Sequence, residues 1–469
     1  MRVATQQLAL TALLLQSASG APAGLLDTVG AVTKLLALPA NYVQLLADVL
    51  GTKPPTGAGV LDAADLQAKL GAIWNTGGGT GDFYAKVQRQ ISQGIIPSGL
   101  LSGFQGLPGT GLLASLDLAG KADKLVAPIN AVDSTNNDNP RNPANAIWPR
   151  KDPADAPYTL TESQLRRAIF IPQTFTYGEK PPVIFVPGTG VYGGEAFGPN
   201  LLKLLSDVPY ADPVWLNIPG ALLDDAQVNS EYVAYAINYI NGITANRNSS
   251  VVSWSQGGLD TQWAFTFWPS TRGAVSHFFP VSPDFHGTVL ANVLCLSPGN
   301  GAPNAPCAPS VTQQQYTSVF VGTLRARGGA DAYVPTTTFY TALLDEVVEP
   351  QQGTAASAYL NDARRVGVAN IEVQSVCPGR PAGSIYGHAT MLFNPLTAAL
   401  IKDVLQRGRG PAQVGNVDLD DVCKDFIAPG LSLEDGIATA GSIVAVAVRL
   451  LAYLPKLVAE PGIMAYARV

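Results

Sequence analysis

The chain has 469 residues, 47% of them hydrophobic and 14% charged, with 47 glycines, 36 prolines and a formal net charge of -6. That length can bury a large core in one or more domains. A neutral-to-acidic chain with no clustered basic face excludes nucleic acid as a partner.

In chain order, Arg2, the apolar run Leu8 to Leu15 and the small residues Ser17-Ala18-Ser19-Gly20-Ala21 have the layout of a secretory signal peptide, with cleavage expected near Gly20. No later stretch reaches about 18 unbroken apolar residues; the longest, Gly436 to Leu454, is interrupted by Arg449. The expected mature protein is secreted and has no integral membrane segment. Residues 21–150 read as a helical N-terminal extension, a cap or a pro-region. Leu25, Val29, Val32 and Leu36, then Tyr42, Leu45, Leu46 and Val49, recur at helical spacing. Asp133 to Pro143 is polar and Asn/Pro-rich, which predicts a linker or surface loop.

From about 151 the pattern alternates. Strands are predicted at Val183 to Val186, Pro213 to Ile218, Ser249 to Trp254, Thr336 to Ala342 and Ile371 to Val376. Helices are predicted around Val228 to Ile240, Leu259 to Trp268, Tyr316 to Leu324 and Met391 to Leu405. Strands alternating with helices imply an α/β fold with a mainly parallel sheet, here over residues 151–469.

Ser253-Trp254-Ser255-Gln256-Gly257-Gly258 lies between a predicted strand and a predicted helix. A serine at such an apex is lifted above the sheet, and the N–H groups behind it sit at a helix start, where partial positive charge stabilises an oxyanion. Ser255 is thus the candidate nucleophile. The chain contains no strict G-x-S-x-G; two other S-x-G sites, Gln90 to Gly94 and Cys295 to Gly299, lack the strand and helix. A base is then required, and there are three histidines. His277 reads as packing. The chain order Ser, acid, His selects His388 over His286, and Asp345, just past a predicted strand, is the preferred acid, with Glu346 and Glu349 as substitutes. Gln256 would supply one oxyanion N–H. Thr189, in the Gly-rich loop Pro187 to Gly194, would supply a second N–H and its hydroxyl. A phosphate-binding reading of that loop fails for want of a P-loop lysine.

Four cysteines in an export context favour disulfides over a metal site, and of three pairings sequence proximity suggests Cys295–Cys307 and Cys377–Cys423. Asn248-Ser249-Ser250 is a glycosylation sequon, usable if the next strand begins after Asn248.

Several collinear stretches resemble the secreted fungal lipases of the Candida antarctica lipase B type. They are Val186-Pro187-Gly188-Thr189-Gly190, Trp254-Ser255-Gln256-Gly257-Gly258, Ser282-Pro283-Asp284, Gly287-Thr288-Val289-Leu290, Val334-Pro335-Thr336-Thr337-Thr338, Asp345-Glu346-Val347-Val348 and Met464-Ala465-Tyr466-Ala467-Arg468. The resemblance implies an α/β-hydrolase fold with Ser255, Asp345 and His388 as the triad, Thr189 and Gln256 as oxyanion donors, and Asp284 as a buried acid beside the site. It also supports Cys377–Cys423. Three departures stand out: no N-terminal or extreme C-terminal family disulfide, an added cysteine pair in the lid-like Leu290 to Ser310 region, and residues 21–150 without a counterpart. The expectation is a lipase that hydrolyses or transesterifies acylglycerols at a lipid–water interface, as a monomer and with no cofactor or metal. The alternatives are a short-chain esterase or polyesterase, or a non-catalytic binding protein of the same fold.

Overall fold

The computed structural model describes residues 131–468, apart from 289–290, 292–294, 296–305, 343–344, 346 and 385. The expected signal peptide, the two N-terminal helices, most of the lid-like region and Glu346 lie outside the described residues.

Seven strands form one sheet: β1 (Ile169–Phe170), β2 (Pro182–Val186), β3 (Asp212–Leu216), β4 (Ser249–Trp254), β5 (Val275–Val281), β6 (Thr336–Tyr340) and β7 (Val368–Glu372), in the order β1-β3-β2-β4-β5-β6-β7. Only β1 runs antiparallel, against β3. Among the helices are α1 (Glu162–Arg167), α2 (Gly193–Phe197), α3 (Ala226–Ile243), α4 (Gln256–Phe267), α5 (Pro309–Gln313), α6 (Pro395–Arg407) and α7 (Leu433–Ala452).

Because side chains alternate along a strand, each strand feeds two cores. Ile184 and Val186 join Val233, Ile237, Leu259 and Trp263 of α3 and α4 on one face. Val183 and Phe185 join Phe197, Leu396, Leu400 and Ile401 on the other. The strand order reverses at β2, whose neighbours are β3 and β4. The carboxyl ends of β2 and β4 therefore flank the switch point, where open α/β sheets place their ligands. The oxyanion-loop candidate follows β2, and the serine turn follows β4.

The predicted elements hold with local shifts. The expected strand Ile371 to Val376 is instead β7, ending at Glu372, and Val373–Val376 turns helical. The helix expected from Met391 is interrupted, because Asn394 caps α6 by accepting from the N–H groups of Leu396 and Thr397, with Pro395 at its first position. The polar stretch after Asp133 is a surface loop tied to the body rather than a linker. The Asp133 carboxylate accepts from the Glu195 N–H, the Asn139 amide donates to the carbonyls of Arg166 and Ile169, and Tyr239 donates to the Arg141 carbonyl. Residues 132–141 are thus held against the body. Among the described residues no helix is long and apolar enough to cross a membrane.

Candidate active site

β4 delivers Ser255 at φ 55, ψ -133, a region that costs a non-glycine residue about 1–3 kcal/mol. Its N–H continues the sheet by donating to the Val281 carbonyl at 3.0 Å, and its hydroxyl caps nothing in α4. The turn is held from both sides. A Cβ on Gly257 would collide with the carbonyl oxygens of Val186 and Pro187, so β2 can approach the start of α4 only over a glycine. A Cβ on Gly188 would lie 2.9 Å from Ser255 Cβ, which shows how closely the two loops meet.

His388 Nδ1 lies 3.0 Å and 2.9 Å from the two Asp345 oxygens, and both residues are 2% exposed. Asp345 Oδ1 also accepts from the N–H groups of Val347 and Val348, which fix the carboxyl group opposite the imidazole. With acceptor oxygens opposite it, Nδ1 is the ring nitrogen that donates to Asp345. The His388 backbone is fixed in turn, its carbonyl accepting from Trp254 Nε1 and Ser282 Oγ. His277 stacks on Phe279, and burial pushes His286 down to about 4; among the described residues it is His388 that meets Asp345. Glu349, the other described alternative acid, is pushed up by burial and by Asp345.

A ring of amides surrounds Thr189. Its Oγ1 donates to Gln256 Oε1 at 2.7 Å and lies 3.1 Å from Gln314 Oε1, while Gln314 Nε2 donates to Gln256 Oε1 at 3.0 Å. Gln314, just after α5, was not singled out by sequence, although it stands in the run Gln313-Gln314-Gln315. The loop after β3 completes the frame. Gly220, Ala221 and Leu222 all have positive φ (72°, 51° and 59°), and they aim the Ala221 carbonyl at the Gly190 N–H and the Leu222 carbonyl at Gln256 Nε2.

Asp284 follows β5, is fully buried, and neither of its oxygens has a hydrogen-bond partner. Burial pushes it up to about 7 from 3.8; His388 pulls it back, and Asp345 pushes it further up. Its folded-state pKa is raised, so between about pH 4 and 7 the folded protein holds a proton that the unfolded chain has released. Stability therefore falls as pH rises through that window. Asp284→Asn is expected to remove the slope, gaining on the order of 4 kcal/mol over wild type between pH 4 and pH 8, read as urea midpoints at the two values. Parallel midpoints would exclude Asp284 as the source.

The cysteines pair Cys295–Cys307 and Cys377–Cys423. Cys307 exchanges backbone hydrogen bonds with Leu457, tying the loop to the segment after α7. Among the described residues no group of three His, Cys, Asp or Glu could hold a metal ion.

Lipase B of Pseudozyma antarctica is 35% identical over 280 residues, which span 59% of this chain and 76% of that protein. The crystal structure of Aspergillus fumigatus lipase B is 38% identical with a TM-score of 0.69, covering 98% of this chain and all of that one. The chain belongs to the lipase B family. It is accordingly a carboxylic ester hydrolase with the α/β-hydrolase fold. No family model matches the sequence. The serine turn meets the His388–Asp345 pair through Trp254, which precedes Ser255 and donates from Nε1 to the His388 carbonyl, and meets Thr189 through Gln256, whose Oε1 accepts from the Thr189 hydroxyl.

Proposed function

We propose that this lipase B homologue is a secreted enzyme that cleaves acylglycerols and related esters through an acyl-enzyme on Ser255. Ser255 Oγ attacks the ester carbonyl while His388 Nε2 takes its proton, and Asp345 holds the imidazole tautomer and stabilises the imidazolium. The carbonyl oxygen, now negative, accepts from the N–H groups of Gln256 and Thr189 and from the Thr189 hydroxyl, which turns away from Gln256 to do so. His388 returns the proton to the leaving alcohol, and water repeats the sequence to release the fatty acid. An alcohol in place of water gives transesterification. The observation that carries this reading is the buried 2.9 Å His388–Asp345 contact, tied through Trp254 to a serine held at φ 55.

Two disulfides suit an oxidising compartment, in keeping with the leader-like residues 1–20 and with secretion. Asn248 is exposed and β4 begins at Ser249, which meets the condition for its use as a glycosylation site. Residues 21–150 would be an N-terminal extension of the hydrolase domain, a cap or a pro-region.

A fluorophosphonate is expected to label Ser255 alone, and hydrolysis of p-nitrophenyl esters from C2 to C16 is expected to rise toward the long chains. Activity confined to C2–C4 would replace lipase by esterase. An unlabelled Ser255 would remove the acyl-enzyme altogether.

A further inference from the structure

Asp260 is a carboxyl group in the wrong place for an ordinary surface charge. It lies on α4 one turn beyond Gln256, fully buried, between Leu259 and the packed Trp263. Residues four apart share a helix face, so Asp260 stands directly behind the glutamine that would help form the oxyanion pocket. Gln256 Nε2 donates to Asp260 Oδ2 at 3.2 Å and to the Leu222 carbonyl at 3.1 Å. On the other side of the amide, Gln256 Oε1 accepts from Thr189 Oγ1 and Gln314 Nε2. Two acceptors face the amino end and two donors face the oxygen, so the amide has one workable orientation.

We propose that Asp260 is a positioning residue for ester cleavage, a buried carboxylic acid whose hydrogen bond to Gln256 fixes the amide that in turn holds Thr189 at the oxyanion site. The inference rests on the reading of Gln256 and Thr189 as oxyanion donors.

The surroundings explain why the group acts as a neutral acid. Burying a charge without a partner is costly. No ion pair among the described residues includes Asp260, and its Oδ1 has no hydrogen-bond partner. The charged groups that act on it are themselves acidic: Asp284 on the loop after β5, and Asp225 at the start of α3. Burial, then Asp284, hold its pKa well above the usual carboxylate range, opposed by the Gln256 hydrogen bond. A neutral acid still accepts from Gln256 through its carbonyl oxygen. An ionised one would place negative charge beneath the site where the ester oxygen becomes negative, and so would slow the reaction as pH rises.

The test is kcat and KM for p-nitrophenyl butyrate across pH 6–10 in wild type, Asp260→Asn and Asp260→Leu, with thermal midpoints and fluorophosphonate labelling of each. Asn keeps an acceptor and cannot ionise, so its kcat should stay within about twofold of wild type at pH 7 and fall less on the alkaline side. Leu removes the acceptor, and its kcat should drop by about tenfold or more with KM nearly unchanged, as small misplacements at a reacting centre do. Wild-type kcat in Leu, or an alkaline limb in Asn identical to wild type, would overturn the role of Asp260. Should Leu fail to fold, the Asn profile alone decides. Wild-type Ser255 that takes no label would instead overturn the reading of the site on which the inference rests.

Discussion

Replacing Ser255 by alanine is expected to lower kcat for p-nitrophenyl butyrate by on the order of 10⁵ to 10⁶, and His388→Ala by a similar factor, with the double variant no worse than either. The non-additivity is the informative part. A serine hydroxyl is a weak nucleophile until a base takes its proton, and the base has nothing to do without the hydroxyl, so removing either removes the same step. What remains would come from binding and from the N–H groups of Gln256 and Thr189, which need neither side chain. Asp345→Asn should cost about 10⁴, because an amide opposite Nδ1 stabilises the wrong tautomer. A double variant whose loss is the product of the single losses would sink the triad as a cooperating unit. So would Ser255→Ala retaining more than a few per cent of activity.

Much of the site was legible because it is written in short-range signals. The serine turn needs Gly257, since any side chain there would strike the Val186 and Pro187 carbonyls, and it needs a strand before it and a helix after it; all three are local. The order Ser, acid, His and a position just past a strand end selected Asp345, with which His388 then pairs in the structure. Local chemistry also accounts for two misread elements. Periodicity carried one helix through Asn394-Pro395, where an Asn cap and a proline that cannot donate restart it. The apolar run Ile371 to Val376 looked like strand, yet it straddles the end of β7 and a helical turn.

The remainder depends on contacts that no local pattern encodes. Gln314 reaches Gln256 across 58 residues of sequence, and Arg449 reaches Glu195 across 254. Asp260 did leave a trace, as a charged residue inside the apolar helix that follows the serine, but its meaning came only with the burial of both faces of α4. Residues of this kind support the site from behind. Their chemistry is fixed by which loops the sheet order brings together, and that is a property of the fold rather than of any segment.

Arg449 is the case with the largest consequence for stability, and Arg449→Met is expected to destabilise the protein by about 3–5 kcal/mol. In sequence it merely interrupts the apolar run of α7. In the structure it is fully buried, donates from Nη1 to Glu195 Oε2 at 2.6 Å and to the Gly190 carbonyl at 2.9 Å, and lies over the Tyr192 ring. Gly190 directly follows Thr189, so α7 is bolted to the loop that would bind the oxyanion. Methionine fills the volume but strands the Glu195 carboxylate, whose side chain is only 6% exposed, with no cation opposite it. The loss should therefore come mostly from the abandoned charge. Adding Glu195→Gln should recover more than half of it, because a buried amide costs far less than a buried carboxylate. Urea midpoints of the single and double variants measure this directly. A double variant no more stable than Arg449→Met would mean that the arginine acts through its bond to the Gly190 carbonyl and its packing on Tyr192, and kcat should then fall in step with stability.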